Sequence, residues 1–190
     1  MKNKRKKRLA TASKNKYISQ TLREAILLFS FSISLYVYLA LTTYNKDDRS
    51  WINSSSSETK NLGGQFGSYV SETLYFIFGQ VAFLIPLLFI SIALIIYNSA
   101  NNEEHENRFA RYTGYVFVLV SLCSLFSIHY SYSNLEVGSG GLLGDFVASM
   151  LTSSFNIIGS TMLLVTFLIA GLWHGASWMF VIFGGLHGLA

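Results

Sequence analysis

The sequence predicts an all-α, polytopic membrane protein with four transmembrane helices, a short apolar C-terminal segment and small interfacial helices in the outer loops. Two observations lead to this class. Hydrophobic residues make up 51% of the 190 residues and charged residues only 13%, which is too little charge for the surface of a soluble domain of this size. The apolar residues also form long blocks separated by short polar stretches, the pattern of helices whose outer faces are solvated by lipid.

Four apolar blocks are long enough to form these transmembrane helices. They cover about 25–42, 74–97 and 112–130, and a fourth begins near 155. A helix needs about 20 apolar residues to cross the hydrocarbon core. The second block contains Pro86, which a transmembrane helix tolerates where neighbouring groups satisfy the freed carbonyl. Tyrosines crowd the ends of the blocks, where an amphipathic ring suits the headgroup layer: Tyr44, Tyr97, Tyr112, Tyr130 and Tyr132.

Residues 1–23 form a basic arm before the first block. The arm begins "MKNKRKKRLATASKNK", without an acidic residue. Basic residues stay on the cytoplasmic side and are attracted to anionic headgroups, so we predict a cytoplasmic arm, with nucleic-acid binding as the less favoured alternative. A cleaved signal peptide is not expected, because the apolar core is too long. A four-helix membrane domain over 24–172 and an apolar segment over 173–190 follow the arm.

The distribution of Lys and Arg in the loops agrees with this orientation. A cytoplasmic N-terminus places 44–70 outside, 98–111 inside and 131–154 outside. The last of these loops contains neither Lys nor Arg, as expected for an outer loop. The first outer loop contains three basic residues, which the much more basic arm outweighs.

Both outer loops contain a glycine turn followed by an amphipathic stretch. In "NLGGQFGSYVSETLYFIFG" the apolar residues recur at helical spacing, at Leu62, Phe66, Tyr69 and Val70. The stretch "EVGSGGLLGDFVASML" repeats the arrangement before the fourth block. We therefore predict a short interfacial helix ahead of the second and of the fourth transmembrane helix.

Residue types that carry out chemistry are scarce. Cys123 is the only cysteine and lies in an apolar block, so we expect a packing residue and neither a disulfide nor a thiolate metal site. The sequence contains no G-x-x-x-x-G-K-[ST] phosphate-binding loop, so ATP hydrolysis by that route is not expected. We predict no catalytic, cofactor or metal site in this chain.

Several stretches resemble the N-terminal membrane domain of the FtsK-type DNA translocases. They are "LTTYNKDDRSW" (41–51), "NLGGQFGSYVSETLYFIFG" (61–79), Pro86, and "GSGGLLGDFVASMLTSSFNIIGSTMLLV" (138–165). Their order, the four apolar blocks, the basic arm and the loop lengths all agree with that family. The resemblance covers about 20–165.

The resemblance implies a role in bacterial cell division and chromosome partition. It implies a multi-pass protein of the inner membrane that anchors a DNA translocase at the division septum. The expected partners are the lipid bilayer, divisome membrane proteins and other copies of the chain. The resemblance also implies a motor domain, absent from this chain, which alone is expected to contact DNA and to bind ATP and Mg²⁺. No enzymatic activity is therefore expected of the residues present.

The C-terminal stretch has a different resemblance. "TFLIAGLWHGASWMFVIFGGLHGLA" (166–190) is similar to the signature of membrane-bound O-acyltransferases (MBOAT). That resemblance implies His187 as the catalytic base and His174 as a second important position. A histidine in a dry tunnel could deprotonate an acceptor hydroxyl for acyl transfer. The alternative function is therefore a fragment of an acyltransferase that acts on an extracellular polysaccharide or polymer.

A simpler interpretation of the C-terminal stretch is a membrane helix with interfacial Trp and His and with small glycines for close helix packing. His174 and His187 are thirteen positions apart, so they lie about 20 Å apart along a single helix. Two family signatures in so short a chain suggest a chimeric or truncated sequence, with a join between about 157 and 171.

Overall fold

The computed structural model describes residues 2–51, 53–54, 58–98, 108–130 and 138–174. The regular structure of these residues is helical, as predicted for an all-α protein. The helices are α1 (Lys2–Thr42), α2 (Gly64–Phe78), α3 (Leu84–Asn98), α4 (Arg108–His129) and α5 (Gly141–His174), and a 3₁₀ helix (Gly79–Phe83) joins α2 to α3.

Four helical segments among the described residues are long and apolar enough to cross a membrane. They are Gln20–Thr42, Gly64–Tyr97, Arg111–His129 and Gly141–Trp173. The predicted all-α fold with four transmembrane helices is therefore confirmed, and the chain is a multi-pass membrane protein.

The second and fourth segments begin earlier than the apolar blocks suggested. We predicted starts near 74 and 155, whereas the helical segments begin at Gly64 and Gly141. In each case a preceding helix runs directly into the membrane helix through a change of backbone direction. These changes of direction, at Gly79 and Asn156, lie close to the predicted starts.

The helix α2 lies across the end of α1. Gly67, in the second turn of α2, lies against Ala40: a Cβ built on Gly67 would be 3.5 Å from the Ala40 Cβ. Two turns later the Tyr75 hydroxyl donates to the Leu41 carbonyl at 3.1 Å. Eight residues of helix span about 12 Å, whereas Ala40 and Leu41 are adjacent, so α2 crosses α1 and does not run beside it. The location of α2 at the membrane interface stays a prediction.

The first membrane pair is α1 with α3. The buried Ser34 hydroxyl on α1 donates to the Pro86 carbonyl on α3 at 2.8 Å. Pro86 is the third residue of α3, where its missing N–H removes no intrahelical hydrogen bond. A small core of Val37, Leu41, Tyr75 and Ala82 links the pair to α2.

The second membrane pair is α4 with α5, the most extensive helix contact in the described part of the chain. Glycines permit a close approach at both ends. A Cβ built on Gly144 would collide with the Cys123 carbonyl, and one on Gly171 would lie 2.7 Å from the Gly114 carbonyl oxygen. Small residues at such crossings let two backbones approach and are typical of membrane helix pairs.

The two halves of the molecule repeat one design. Gly63-Gly64-x-x-Gly67-x-x-Val70 recurs as "GGLLGDFV" at 140–147. Gly64 and Gly141, which open α2 and α5, have φ of 66° and 67°. Fifteen positions after each (79 − 64 and 156 − 141), Gly79 and Asn156 both have φ of 57° and turn the chain into a membrane helix. The predicted repetition of the outer-loop arrangement thus extends to the backbone conformation.

Candidate partner-binding platform

The described residues of the loop between α1 and α2 fold back on α2, beside the membrane helices. We call the described residues of Thr43–Asn61 plus α2 the platform, and the end of the molecule that carries it the platform face. The opposite end, where the basic part of α1 begins and α3 ends, is the arm face.

Asp48 closes the loop of the platform. It is only 1% exposed. Its Oδ1 accepts the Lys60 N–H at 2.8 Å and its Oδ2 accepts the Asn61 N–H at 2.9 Å. A buried carboxylate needs such donors, and backbone N–H groups supply them without a counter-charge. The carboxylate therefore joins Asp48, near the start of the loop, to Lys60 and Asn61 at its end.

Asn61 attaches the closed loop to α1. Its Nδ2 donates to the Ala40 carbonyl at 2.8 Å, near the last turn of α1, while its Oδ1 accepts the Gly63 N–H at 2.8 Å. The Tyr36 hydroxyl also donates to the Gly63 carbonyl at 2.8 Å. These bonds set the point at which α2 begins.

Glu72 attaches the middle of the loop to α2. It is 7% exposed, and its two carboxylate oxygens accept the Ser50 hydroxyl at 2.5 Å and the Trp51 N–H at 2.9 Å. The Ser68 hydroxyl, one turn earlier on α2, donates to the Arg49 carbonyl at 3.0 Å. Three hydrogen bonds to α2 therefore fix residues 49–51, through the Arg49 carbonyl, the Ser50 hydroxyl and the Trp51 N–H.

Trp51 projects from this held segment. Its side chain is 76% exposed, and its ring packs edge-on against Tyr69 of α2, with 4.9 Å between the ring centroids. Leu62 and Phe66 are also largely exposed on the platform. The arrangement is an exposed apolar surface on a backbone that is already ordered, which lowers the conformational entropy lost when a partner binds.

A second contact joins the two halves of the molecule. The Gln80 N–H donates to the Ser139 carbonyl at 2.8 Å, and a Cβ on Gly79 would collide with that same carbonyl. Nearby, Asp145 accepts the Ser127 hydroxyl and the Gly138 N–H, so it holds the start of α5 against α4. The side chain of Ser139 is buried and has no hydrogen-bond partner among the described residues.

Of the two C-terminal histidines, the described residues include only His174. His174 is the last residue of α5, and His187 lies outside the described residues. The predicted catalytic role of this pair therefore stays a prediction. Among the residues that the structure describes, no group of three or more His, Cys, Asp or Glu side chains could hold a metal ion.

The residues that order the platform were not identified from the sequence. Asp48 and Glu72 are ordinary acidic residues in a polar loop and on a predicted amphipathic helix. Only the structure shows that Asp48 accepts the N–H groups of Lys60 and Asn61 and that Glu72 accepts the N–H of Trp51. One signal was available in the sequence: Glu72 is an acidic residue on a helix face that otherwise carries small and apolar residues.

The fold of the described residues defines a multi-pass membrane domain with four spans, and the platform lies beside them. The chain belongs to the family described as the 4TM region of DNA translocase FtsK/SpoIIIE, which matches residues 19–183. The resemblance identified over about 20–165 is thereby confirmed. The match also covers the interval 157–171 in which a join was suggested, and the acyltransferase resemblance of 166–190 stays a hypothesis.

Similar proteins carry the name DNA translocase FtsK. One from Vibrio vulnificus is 31% identical over 169 residues, which are 86% of this chain and 17% of that protein. One from Shewanella oneidensis is 28% identical over 169 residues, 86% of this chain and 18% of its own length. One from Pseudomonas syringae pv. syringae is 29% identical over 157 residues, 80% of this chain and 20% of its own length. No solved structure matches the chain.

Proposed function

We propose that this chain anchors a DNA translocase in the bacterial inner membrane and directs it to the division septum. The observation that carries the proposal is the family match across all four membrane helices. The chain spans about a sixth of the length of the relatives it matches, so the translocase motor would be a separate part of the full protein. The role proposed for the residues present is anchoring and binding, without catalysis.

The proposed orientation places the arm face in the cytoplasm and the platform face outside. The supporting observation is the distribution of Lys and Arg, since the arm carries eight basic residues between 2 and 16 and no acidic residue before Glu24. The loop between α4 and α5, on the platform face, contains no Lys or Arg. A motor that follows α5 would then lie on the side of the chromosome.

The platform is the proposed binding surface for divisome membrane proteins. Trp51 supports this assignment, because aromatic residues that are exposed on an ordered backbone are typical centres of binding energy at protein interfaces. Glu72 and Asp48 hold the loop, so a partner meets a preformed surface. Copies of the chain are also proposed to associate through their lipid-facing helices.

A fluorescent fusion of the chain in dividing bacteria tests this proposal. The fusion should gather at the septum, and Trp51→Ala should reduce the septal fraction several-fold while total membrane fluorescence stays constant. Trp173→Ala is the matched control, because Trp173 is also largely exposed but lies near the arm-face end of α5. Uniform membrane labelling by the unaltered chain would refute septal targeting. Equal losses in the two variants would refute the assignment of the platform.

A further inference from the structure

Two helical stretches precede membrane helices in the described chain: α2, and residues 141–155, which we call the leading half of α5. Each runs for about four turns and ends at a residue with positive φ, Gly79 or Asn156. With the membrane helices that follow, they form apolar segments of 34 and 33 residues, Gly64–Tyr97 and Gly141–Trp173. About 20 residues suffice to cross the hydrocarbon core, so both segments are much longer than one crossing requires.

The two faces of α2 are reversed relative to those of a surface helix in a water-soluble protein. Ser68, Ser71 and Glu72 are buried against the loop, and Glu72 is the only charged residue of the helix. The outward face is apolar, with Phe66 69% and Phe76 41% exposed. In water, a surface helix buries its apolar face and exposes its charged residues. The outward face of α2 is therefore suited to lipid.

The leading half of α5 repeats this reversal. Leu142, Phe146 and Met150 recur at every fourth position, and each is more than half exposed. The only charged residue of this half is Asp145, which is turned toward α4 and accepts the Ser127 hydroxyl. Both stretches thus direct their single charged side chain into the protein and their large apolar side chains away from it.

The hydroxyl groups on the two outward faces are satisfied by their own helices. Thr73 on α2, and Ser149 and Ser153 on α5, each donate to a carbonyl of the preceding turn, at 2.8–2.9 Å. A hydroxyl that makes this bond needs no water, which is how serine and threonine are accommodated in membrane helices. The outward faces can therefore lie in hydrocarbon without an unsatisfied side-chain hydroxyl.

The end of α2 meets the start of α5 at one level of the molecule. The Gln80 N–H donates to the Ser139 carbonyl at 2.8 Å, and a Cβ built on Gly141 would collide with the Gly79 backbone nitrogen. Both stretches therefore belong to the platform-face side of the bilayer. Among the described residues the arm face has no matching pair, so this part of the chain is wider in one leaflet than in the other.

We propose that the two outward faces are embedded among the acyl chains of one leaflet and that the domain consequently favours membrane in which this leaflet is convex. Lipid is the occupant, because the faces carry no charged group and run directly into the membrane helices. Helices inserted into a single leaflet spread its headgroups apart, which makes their binding depend on curvature. Trp51 projects from the loop and belongs to neither face. The inference rests on the proposed function only for naming this leaflet the outer one.

Fluorescence quenching in phosphatidylcholine nanodiscs with a nitroxide on the acyl chain tests the contact with lipid. A fluorophore on Phe66→Cys or Phe146→Cys should be quenched roughly threefold more strongly than one on Lys46→Cys, an exposed polar position of the platform. Cys123 is fully buried and leaves the label at the introduced cysteine. Weak quenching at both faces would leave them free for a protein partner and would overturn the inference. Equal quenching at all three positions would overturn it as well, because no particular face would then lie in lipid.

Membrane tethers pulled from giant phosphatidylcholine vesicles test the curvature preference in the absence of any divisome protein. A membrane-impermeant maleimide dye added outside labels only those molecules whose introduced cysteine faces out. Labelled Lys46→Cys molecules have the platform in the convex outer leaflet and should be enriched about twofold in the tether. Labelled Gln20→Cys molecules have the reverse orientation, since Gln20 lies at the arm-face end of α1, and should be depleted. Equal distribution of the two populations would contradict the proposed wedge shape.

Two double variants assign the effect to the outward faces. In the platform-labelled chain, Phe66→Ser/Phe146→Ser should abolish the enrichment in the tether. Phe29→Ser/Phe31→Ser is the matched control, because these rings are also more than half exposed but lie on the membrane-spanning part of α1, and its enrichment should persist. Loss of enrichment in both variants, or in neither, would refute the assignment. Septal fluorescence of Trp51→Ala is independent of these vesicles, so either proposal can fail while the other stands.

Discussion

Two buried carboxylates determine the shape of the platform at the scale of single residues. Asp48 and Glu72 each accept a backbone N–H from a loop residue, and neither carboxylate is exposed. Burying an acceptor without its donors is costly, so each carboxylate favours only the loop conformation that brings those donors within reach. The result is a fixed backbone at residues 49–51, from which Trp51 projects.

Replacement of Asp48 by Asn tests this contribution. The amide keeps one acceptor but places an NH₂ group against a backbone N–H, so we expect a loss of about 1–3 kcal/mol in the free energy of unfolding. The measurement is unfolding in detergent, followed by tryptophan fluorescence. Asp47→Asn is the control, since its exposed carboxylate lies next in sequence, and its effect should be within about 0.5 kcal/mol. Equal effects would contradict the structural role of Asp48.

At the scale of elements, the same unit occurs twice: a helix beside the membrane helices, a residue with positive φ, and a membrane helix. Gly79 performs the turn in the first unit and Asn156 in the second, both with φ of 57°. Asn156 Oδ1 accepts the Ile157 N–H at 2.7 Å, which compensates part of the strain of a side chain in this region. Gly79 has a further constraint, the neighbouring Ser139 carbonyl.

Gly79→Ala should therefore be far more harmful than Gly64→Ala. Both positions have positive φ, and a left-handed conformation costs an alanine about 1–2 kcal/mol. A methyl group on Gly64 meets no atom within 4 Å, whereas one on Gly79 collides with the Ser139 carbonyl. We expect Gly79→Ala to lose roughly 3 kcal/mol or more and Gly64→Ala about 1 kcal/mol. Thermal unfolding of the purified variants measures both losses. Similar values would contradict the prediction, because they would mean that the backbone at Gly79 and Ser139 moves apart at little cost.

At the scale of the whole molecule, two helix pairs are joined near the platform face. The pair α1–α3 meets the pair α4–α5 through the 3₁₀ helix and the start of α5, with the Gln80–Ser139 hydrogen bond at the contact. The platform lies at this same end, and the basic extension of α1 lies at the other. The platform face is thus the end where side-chain hydrogen bonds hold the loop, and the arm face is the end where the basic residues of α1 lie in the sequence.

Cysteine labelling determines which face is outside. Lys46→Cys should react with a membrane-impermeant maleimide in intact spheroplasts, and Asn3→Cys only after permeabilisation, because a strongly basic segment is retained in the cytoplasm. The unaltered chain supplies the background, since Cys123 is fully buried. The reverse labelling pattern would contradict the proposed orientation.

The membrane helices were predictable because their signal is local. About 20 consecutive apolar residues suffice to identify a span, and the bilayer supplies the environment that a soluble fold would have to build from distant parts of its chain. The family resemblance was equally accessible, since it depends on short motifs such as "NLGGQFG" in order along the chain. The predicted starts of the second and fourth membrane helices, near 74 and 155, lie close to the changes of backbone direction at Gly79 and Asn156.

The sequence by itself thus determined four membrane helices, a basic arm and two glycine-initiated helices, all of which follow from composition within about 20 residues. Only the tertiary structure decided that Asp48 and Glu72 are buried acceptors, that α2 crosses α1, and that the arm is an extension of α1. These features depend on hydrogen bonds between residues 12 to 34 positions apart and on the distance along a continuous helix. Such geometry has no local pattern, because an acidic residue looks the same in sequence whether it faces water or a backbone N–H.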